Sequence, residues 1–161
     1  MKNHDKKYEM FILMCKTLNK EFNITPILFG SLGLEVLSGY DFNADDIDVL
    51  IPGIYLDEKW NLIRIIVESV GYRFKDLHEH EFIKNNVKLA FGIEESLLDF
   101  ANINWRKLKS INDFGAKYKL LNYSEYLMVY KQSYQDSYRR DKNNGKDLSK
   151  IEYLEKLVSN H

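Results

Sequence analysis

Apolar positions along the chain fall into two periods, and the switches between them outline a fold. Tyr8, Phe11, Ile12, Cys15 and Leu18 recur at helical spacing, which predicts an amphipathic first helix ending near Phe22. Cys15 lies on that stripe and reads as a core residue. The run Pro26-Ile27-Leu28-Phe29-Gly30 predicts a short buried strand, introduced by proline and stopped by glycine. A brief helix follows from Ser31 toward Leu37. Turn formers between Gly39 and Asp45 then predict a loop, and Asp46 to Pro52 reads as a second strand.

Further on, Asp57 is placed to cap a helix whose buried face is Trp60, Ile63, Val67 and Val70, and which stops at Gly71. The segment Tyr72 to Gly92 has two strand-like halves around Asn85-Asn86, a hairpin signal because asparagine tolerates positive φ. A short helix about Glu94–Ala101 and a loop through Trp105–Lys117 come next, then a short strand over Lys117–Asn122. Ser124 is expected to cap a long helix reaching about Arg140, and a last helix spans about Asp147–Val158. This order predicts an α+β fold of two-layer α/β character: a mixed sheet packed by helices, with C-terminal helices. The chain reads as one domain, 1–161, with its core about 20–105 and a C-terminal helical part about 120–161.

Composition narrows the field. Forty-five per cent apolar residues with abundant aromatics argue for a folded globule. A net charge of −1 gives no global pull toward nucleic acid or membranes. The single cysteine excludes an intramolecular disulfide and a cysteine-based zinc site. Lys16 and Lys20 break the N-terminal apolar run, no small-residue cleavage site follows, and no apolar run approaches the ~20 residues of a membrane span. A cytoplasmic location is expected.

The chemistry concentrates in Ile27 to Pro52. Alternation along a strand puts Asp46 and Asp48 on one face, with Ile47 and Val49 on the other. Two ionised carboxylates held so close repel unless a cation or a proton sits between them, and hard oxygen ligands suit Mg²⁺. Gly30-Ser31 stands at a strand-to-helix turn. Glycine lets backbone approach a phosphate, while the helix start and the Ser31 hydroxyl offer donors. An anion cradle facing a carboxylate pair is what metal-assisted phosphoryl transfer requires.

Gly30-Ser31, fourteen intervening residues and then Asp46-Ile47-Asp48 resemble the signature of the nucleotidyltransferase superfamily related to DNA polymerase beta. The intervening stretch, with its Leu37-Ser38-Gly39 turn, is most similar to the small aminoglycoside and lincosamide nucleotidyltransferases. Lys146-Asp147-Leu148 resembles the Lys-Asp-Leu helix start of that group, so the likeness covers roughly residues 25–52 and 137–156. The resemblance implies transfer of a nucleoside monophosphate from a nucleoside triphosphate to an acceptor hydroxyl. Gly30 and Ser31 would bind the triphosphate, and Asp46 and Asp48 the Mg²⁺. Asp45 falls on the other strand face and is left out.

The family usually carries a third carboxylate on a neighbouring strand, where it ligands metal and draws the acceptor's proton. Glu81 is the preferred candidate here, ahead of Glu79 and Asp99. The expected acceptor is a small molecule and not nucleic acid, and a homodimer could close the acceptor cleft. Two alternatives stay open. One is a catalytically weak or inactive member acting as a nucleotide-binding regulator or toxin–antitoxin component. The other is an unrelated α/β domain in which Gly30 and Asp46 lie far apart.

Other features are weighed against plainer readings. His78 and His80 could line one strand face as a metal pair, but with no third ligand they read as surface or acceptor-pocket residues. Arg139, Arg140, Lys142, Lys146 and Lys150 could neutralise a triphosphate, with Lys142 and Lys146 as the best phosphate contacts, or could form a solvated helix end. Tyr126, Tyr130, Tyr134 and Tyr138 recur every fourth residue and read as a packing stripe, with Tyr138 placed to stack on a base or sugar.

Overall fold

A computed structural model describes residues 3–135 and 146–159. Two compact units emerge: Met1–Glu95 with Leu108–Leu120, and Ser96–Lys107 with Leu121–His161. The first contains a seven-stranded mixed sheet. Its strands are β1 (Ile27–Phe29), β2 (Asp46–Ile51), β3 (Arg73–Asp76), β4 (Glu81–Lys84), β5 (Val87–Ile93), β6 (Lys109–Asp113) and β7 (Ala116–Leu120), in the order β3-β4-β5-β2-β1-β7-β6. Strand β2 runs antiparallel to β1 and parallel to β5.

Among its described residues are the α-helices α1 (Asn3–Phe22), α2 (Gly30–Ser38) and α3 (Trp60–Ser69). The odd-numbered residues of β2, Ile47, Val49 and Ile51, are wholly buried, and Leu89 and Phe82 continue that apolar face across β5 and β4. Phe11, Met14, Cys15 and Leu18 of α1 and Ile63 and Val67 of α3 join the same core. The stripe expected from helical spacing is therefore the buried side of α1. Cys15 sits within it, its thiol donating to the Lys117 carbonyl at 3.1 Å. Strand alternation sends Asp46 and Asp48 to the opposite face of the sheet.

Several boundaries differ from the sequence reading. Asp57 ends a 3-10 turn at Gly53–Leu56, whereas α3 begins at Trp60 with Lys59 in the N-cap position and no side-chain cap. Leu77–His80 form a tight turn joining β3 to β4, so His78 and His80 do not line a strand face. His78 is almost fully exposed, and the His80 ring packs edge-on to Trp60, 4.9 Å between centroids. The span Trp105–Lys117 is not a loop, because β6 and most of a hairpin to β7 lie within it. Phe114 and Gly115 supply the turn at φ 49° and 80°. The Asn85-Asn86 turn takes φ of 53° and 63°, the two left-handed residues that a tight hairpin needs.

The second unit holds α4 (Ser96–Ala101), α5 (Tyr123–Gln135) and α6 (Lys146–Ser159). Asn122, and not Ser124, caps α5. Its side-chain oxygen accepts from the Glu125 N–H at 2.8 Å, while Glu125 accepts from the Asn122 N–H at 2.9 Å, a reciprocal capping box. Tyr126 and Tyr130 are buried on α5, and Tyr134 is half-buried.

Candidate functional site

Two distant segments meet because β1 and β2 pair. Phe29 lies opposite Asp48 in the ladder, which sets the next residue, Gly30, beside the aspartate. Gly30 adopts φ +65°, in the left-handed region that glycine enters without steric cost. A Cβ at this position would stand 2.5 Å from Asp48 Oδ2. Glycine here serves both demands, the backbone turn and the close approach of a carboxylate. Ser31 follows in the first turn of α2, half-buried, and the helix starts without a side-chain cap.

The loop between α2 and β2 is held by a residue outside the motif. Glu35, wholly buried on α2, accepts from the Phe42 and Ala44 N–H groups, each at 2.9 Å. Two hydrogen bonds thus fix the chain immediately before Asp46. Gly39 at φ 74° ends the helix, its N–H donating to the Glu35 carbonyl.

On the other side of β2, the parallel register sets Asp46 beside Lys88 and Asp48 beside Ala90. Strand β4 in turn sets Glu81 beside Ala90. Asp48, Ala90 and Glu81 therefore form one row across three strands, with the smallest side chain in the middle. The Lys88 ammonium sits 3.8 Å from Asp46 Oδ2 and 3.5 Å from Glu81 Oε1. Partial burial works against that charge, yet Asp46, Glu81 and Asp48 outweigh it and raise the Lys88 pKa above the ordinary lysine value.

The structure brings Gly30, Ser31, Asp46, Asp48 and Glu81 to one region of the sheet unit. Asp45 is exposed just before β2, and Glu79 lies exposed in the β3–β4 turn. Asp99 is exposed on α4 of the second unit. Tyr138 and Lys142 lie outside the described residues, and Lys146 opens α6. Among the described residues no cluster of three or more His, Cys, Asp or Glu side chains could hold a metal ion by itself. No described helix is long and apolar enough to cross a membrane. Lys88 and Glu35 were not singled out from sequence. Alternation after the Asn85-Asn86 turn puts Lys88 and Ala90 on one face, but only the β2–β5 register reveals what they meet.

No family model matches the chain. The crystal structure of an antigenic nucleotidyltransferase-like protein from Paracoccidioides brasiliensis superposes with a TM-score of 0.59. The match covers 92% of this chain and 75% of that one at 15% identity, so it is a likeness of fold, and the fold is nucleotidyltransferase-like. The uncharacterized protein YnaI of Bacillus subtilis (strain 168) is 50% identical over 155 residues, 96% of this chain and 99% of its own. Identity of that degree along nearly the whole of both chains shows that the protein belongs to the same family as YnaI.

Proposed function

We propose that the protein is a nucleotidyltransferase that moves a nucleoside monophosphate from a nucleoside triphosphate to a hydroxyl of a small-molecule acceptor. Mg²⁺ would be held by Asp46 and Asp48. The observation that carries this reading is the close approach of the Gly30 turn to the Asp48 carboxylate, which would set an anion-accepting backbone beside a cation-accepting pair. The likeness of the Gly30–Asp48 segment to small antibiotic nucleotidyltransferases supports the acceptor class.

The donor set suits the ion. Magnesium is commonly held by one or two carboxylates, with waters and substrate phosphates completing its shell. Asp46 and Asp48 share a strand face, and both are half-buried, so they can supply those two oxygens without closing the site. When bound, the cation would neutralise phosphate charge as a Lewis acid. Gly30 and Ser31 would hold the polyphosphate through backbone N–H groups and the hydroxyl. Glu81 shares the face, in one row with Asp48 across the small Ala90, and would take the proton of an acceptor hydroxyl.

Mg²⁺-dependent release of pyrophosphate, measured with each nucleoside triphosphate over a panel of hydroxylated acceptors, tests the reading. Asp46→Asn and Asp48→Asn should each lower it ~100-fold or more. Wild-type rates in both variants would rule the reading out. One observation favours a second reading, in which nucleotide binds without turnover. Strand β5, on one side of β2, offers Lys88 and Ala90 to the aspartates, not a carboxylate. Calorimetric binding of ATP with Mg²⁺, with no pyrophosphate released by any pairing, would select it.

A further inference from the structure

The proposed chemistry does not use Lys88. It stands on β5 between two acidic strands, with Asp46 and Asp48 on β2 and Glu81 on β4. Its ammonium lies within 4 Å of a carboxylate oxygen on each side. Glu81 is the more enclosed partner, its side chain 14% exposed against 39% for Asp46, so the Lys88 charge is least screened where it meets Glu81. Three carboxylates and one ammonium leave a formal charge of −2, which a single divalent cation balances. Without the ammonium the same three carboxylates would carry −3, and a second cation would be favoured between β2 and β4. We propose that Lys88 is a tethered cation that takes the place of a second divalent ion, so that the site holds one. The proposal rests on Asp46 and Asp48 being metal ligands.

The consequence is measurable without catalysis. Mn²⁺ serves as the probe, titrated against the full chain without nucleotide, with free ion followed by electron paramagnetic resonance and heat by calorimetry. The wild type should bind one equivalent. Lys88→Met, which keeps the aliphatic stem and removes the charge, should bind Mn²⁺ roughly tenfold more tightly or take up a second equivalent. Lys88→Arg should restore wild-type behaviour, which a role in packing alone would not require. Lys88→Met should also melt at lower temperature without metal and gain more from Mn²⁺ than the wild type does.

If Lys88→Met does not fold, Lys88→Gln is measured in the same way. Recovery of its folding by Mn²⁺ but not by sodium chloride supports the proposal, and no recovery by Mn²⁺ overturns it. Equal affinity and stoichiometry in wild type and Lys88→Met, with binding lost in Asp46→Asn, overturns the role of Lys88 and leaves the aspartates as ligands. Binding unchanged in both Asp46→Asn and Asp48→Asn overturns the metal site itself, and the proposal with it.

Discussion

Gly30→Ala probes the contact on which the site depends. An added methyl meets two obstacles. The first is conformational: at φ +65° an L-residue costs ~1–2 kcal/mol relative to glycine. The second is steric, because the new Cβ would lie 2.5 Å from Asp48 Oδ2, closer than such atoms can approach. Relief is available by turning the short Asp48 side chain away, at ~0.5–1.5 kcal/mol for a displaced rotamer. Together these give ~1.5–3.5 kcal/mol, or a fall of roughly 3–14 °C in Tm for a chain of this size.

The two costs separate in a double-mutant cycle. In an Asp48→Ala background the carboxylate is gone, and the conformational part should remain with a tight contact to the Cβ at 3.3 Å. The pair should then couple by ~1 kcal/mol, readable from urea unfolding of the four proteins. Additive effects within ~0.3 kcal/mol would show that Gly30 and Asp48 do not touch in solution. Because the methyl would displace the Asp48 carboxylate proposed to hold the metal, Gly30→Ala should also weaken Mg²⁺-triphosphate binding at temperatures where it stays folded.

Three further outcomes follow from the same contacts. Glu35→Ala removes the acceptor for one buried and one partly buried backbone N–H group and should cost roughly 1–3 kcal/mol; a loss under ~0.5 kcal/mol in urea melts would refute its role as the loop anchor. Asn122→Ala breaks the capping box of α5 and should cost ~1 kcal/mol, while Ser124→Ala should cost less, as thermal melts will show. Burial pushes the Cys15 thiol up from 9.0 to about 12 and the Tyr72 hydroxyl from 10.0 to about 12. Both groups are neutral when folded and ionise more readily when unfolded. Their contribution is therefore full below about pH 9 and is lost toward about pH 12, and Cys15→Ala should flatten that decline in alkaline unfolding curves.

What the sequence disclosed, and what it withheld, follows from the range of the interactions involved. Helix α1, strands β1 and β2 and the Asn85-Asn86 turn are local: periodicity and residues tolerant of positive φ write them directly into the chain. Strand β6 was hidden because Lys109-Ser110-Ile111-Asn112-Asp113 is an edge strand with few apolar residues to alternate, and its turn uses Phe114 at positive φ, a rare choice. The cap of α5 was misplaced by two residues because Asn122 and Ser124 are both good caps, and only the reciprocal bonds with Glu125 decide between them. The same limit applies at the site. Strand alternation was enough to pair Asp46 with Asp48, but the meeting of Gly30 with Asp48, and of Lys88 with Asp46 and Glu81, depends on cross-strand register between segments far apart in the chain.

The most direct test is a crystal of the protein grown with Mn²⁺ and a non-hydrolysable nucleoside triphosphate, read from the anomalous signal of the metal. The account predicts a manganese peak in coordination with both Asp46 and Asp48, with the phosphates seated on the Gly30-Ser31 turn. Phosphates bound elsewhere, or manganese that leaves these two carboxylates untouched, would contradict it.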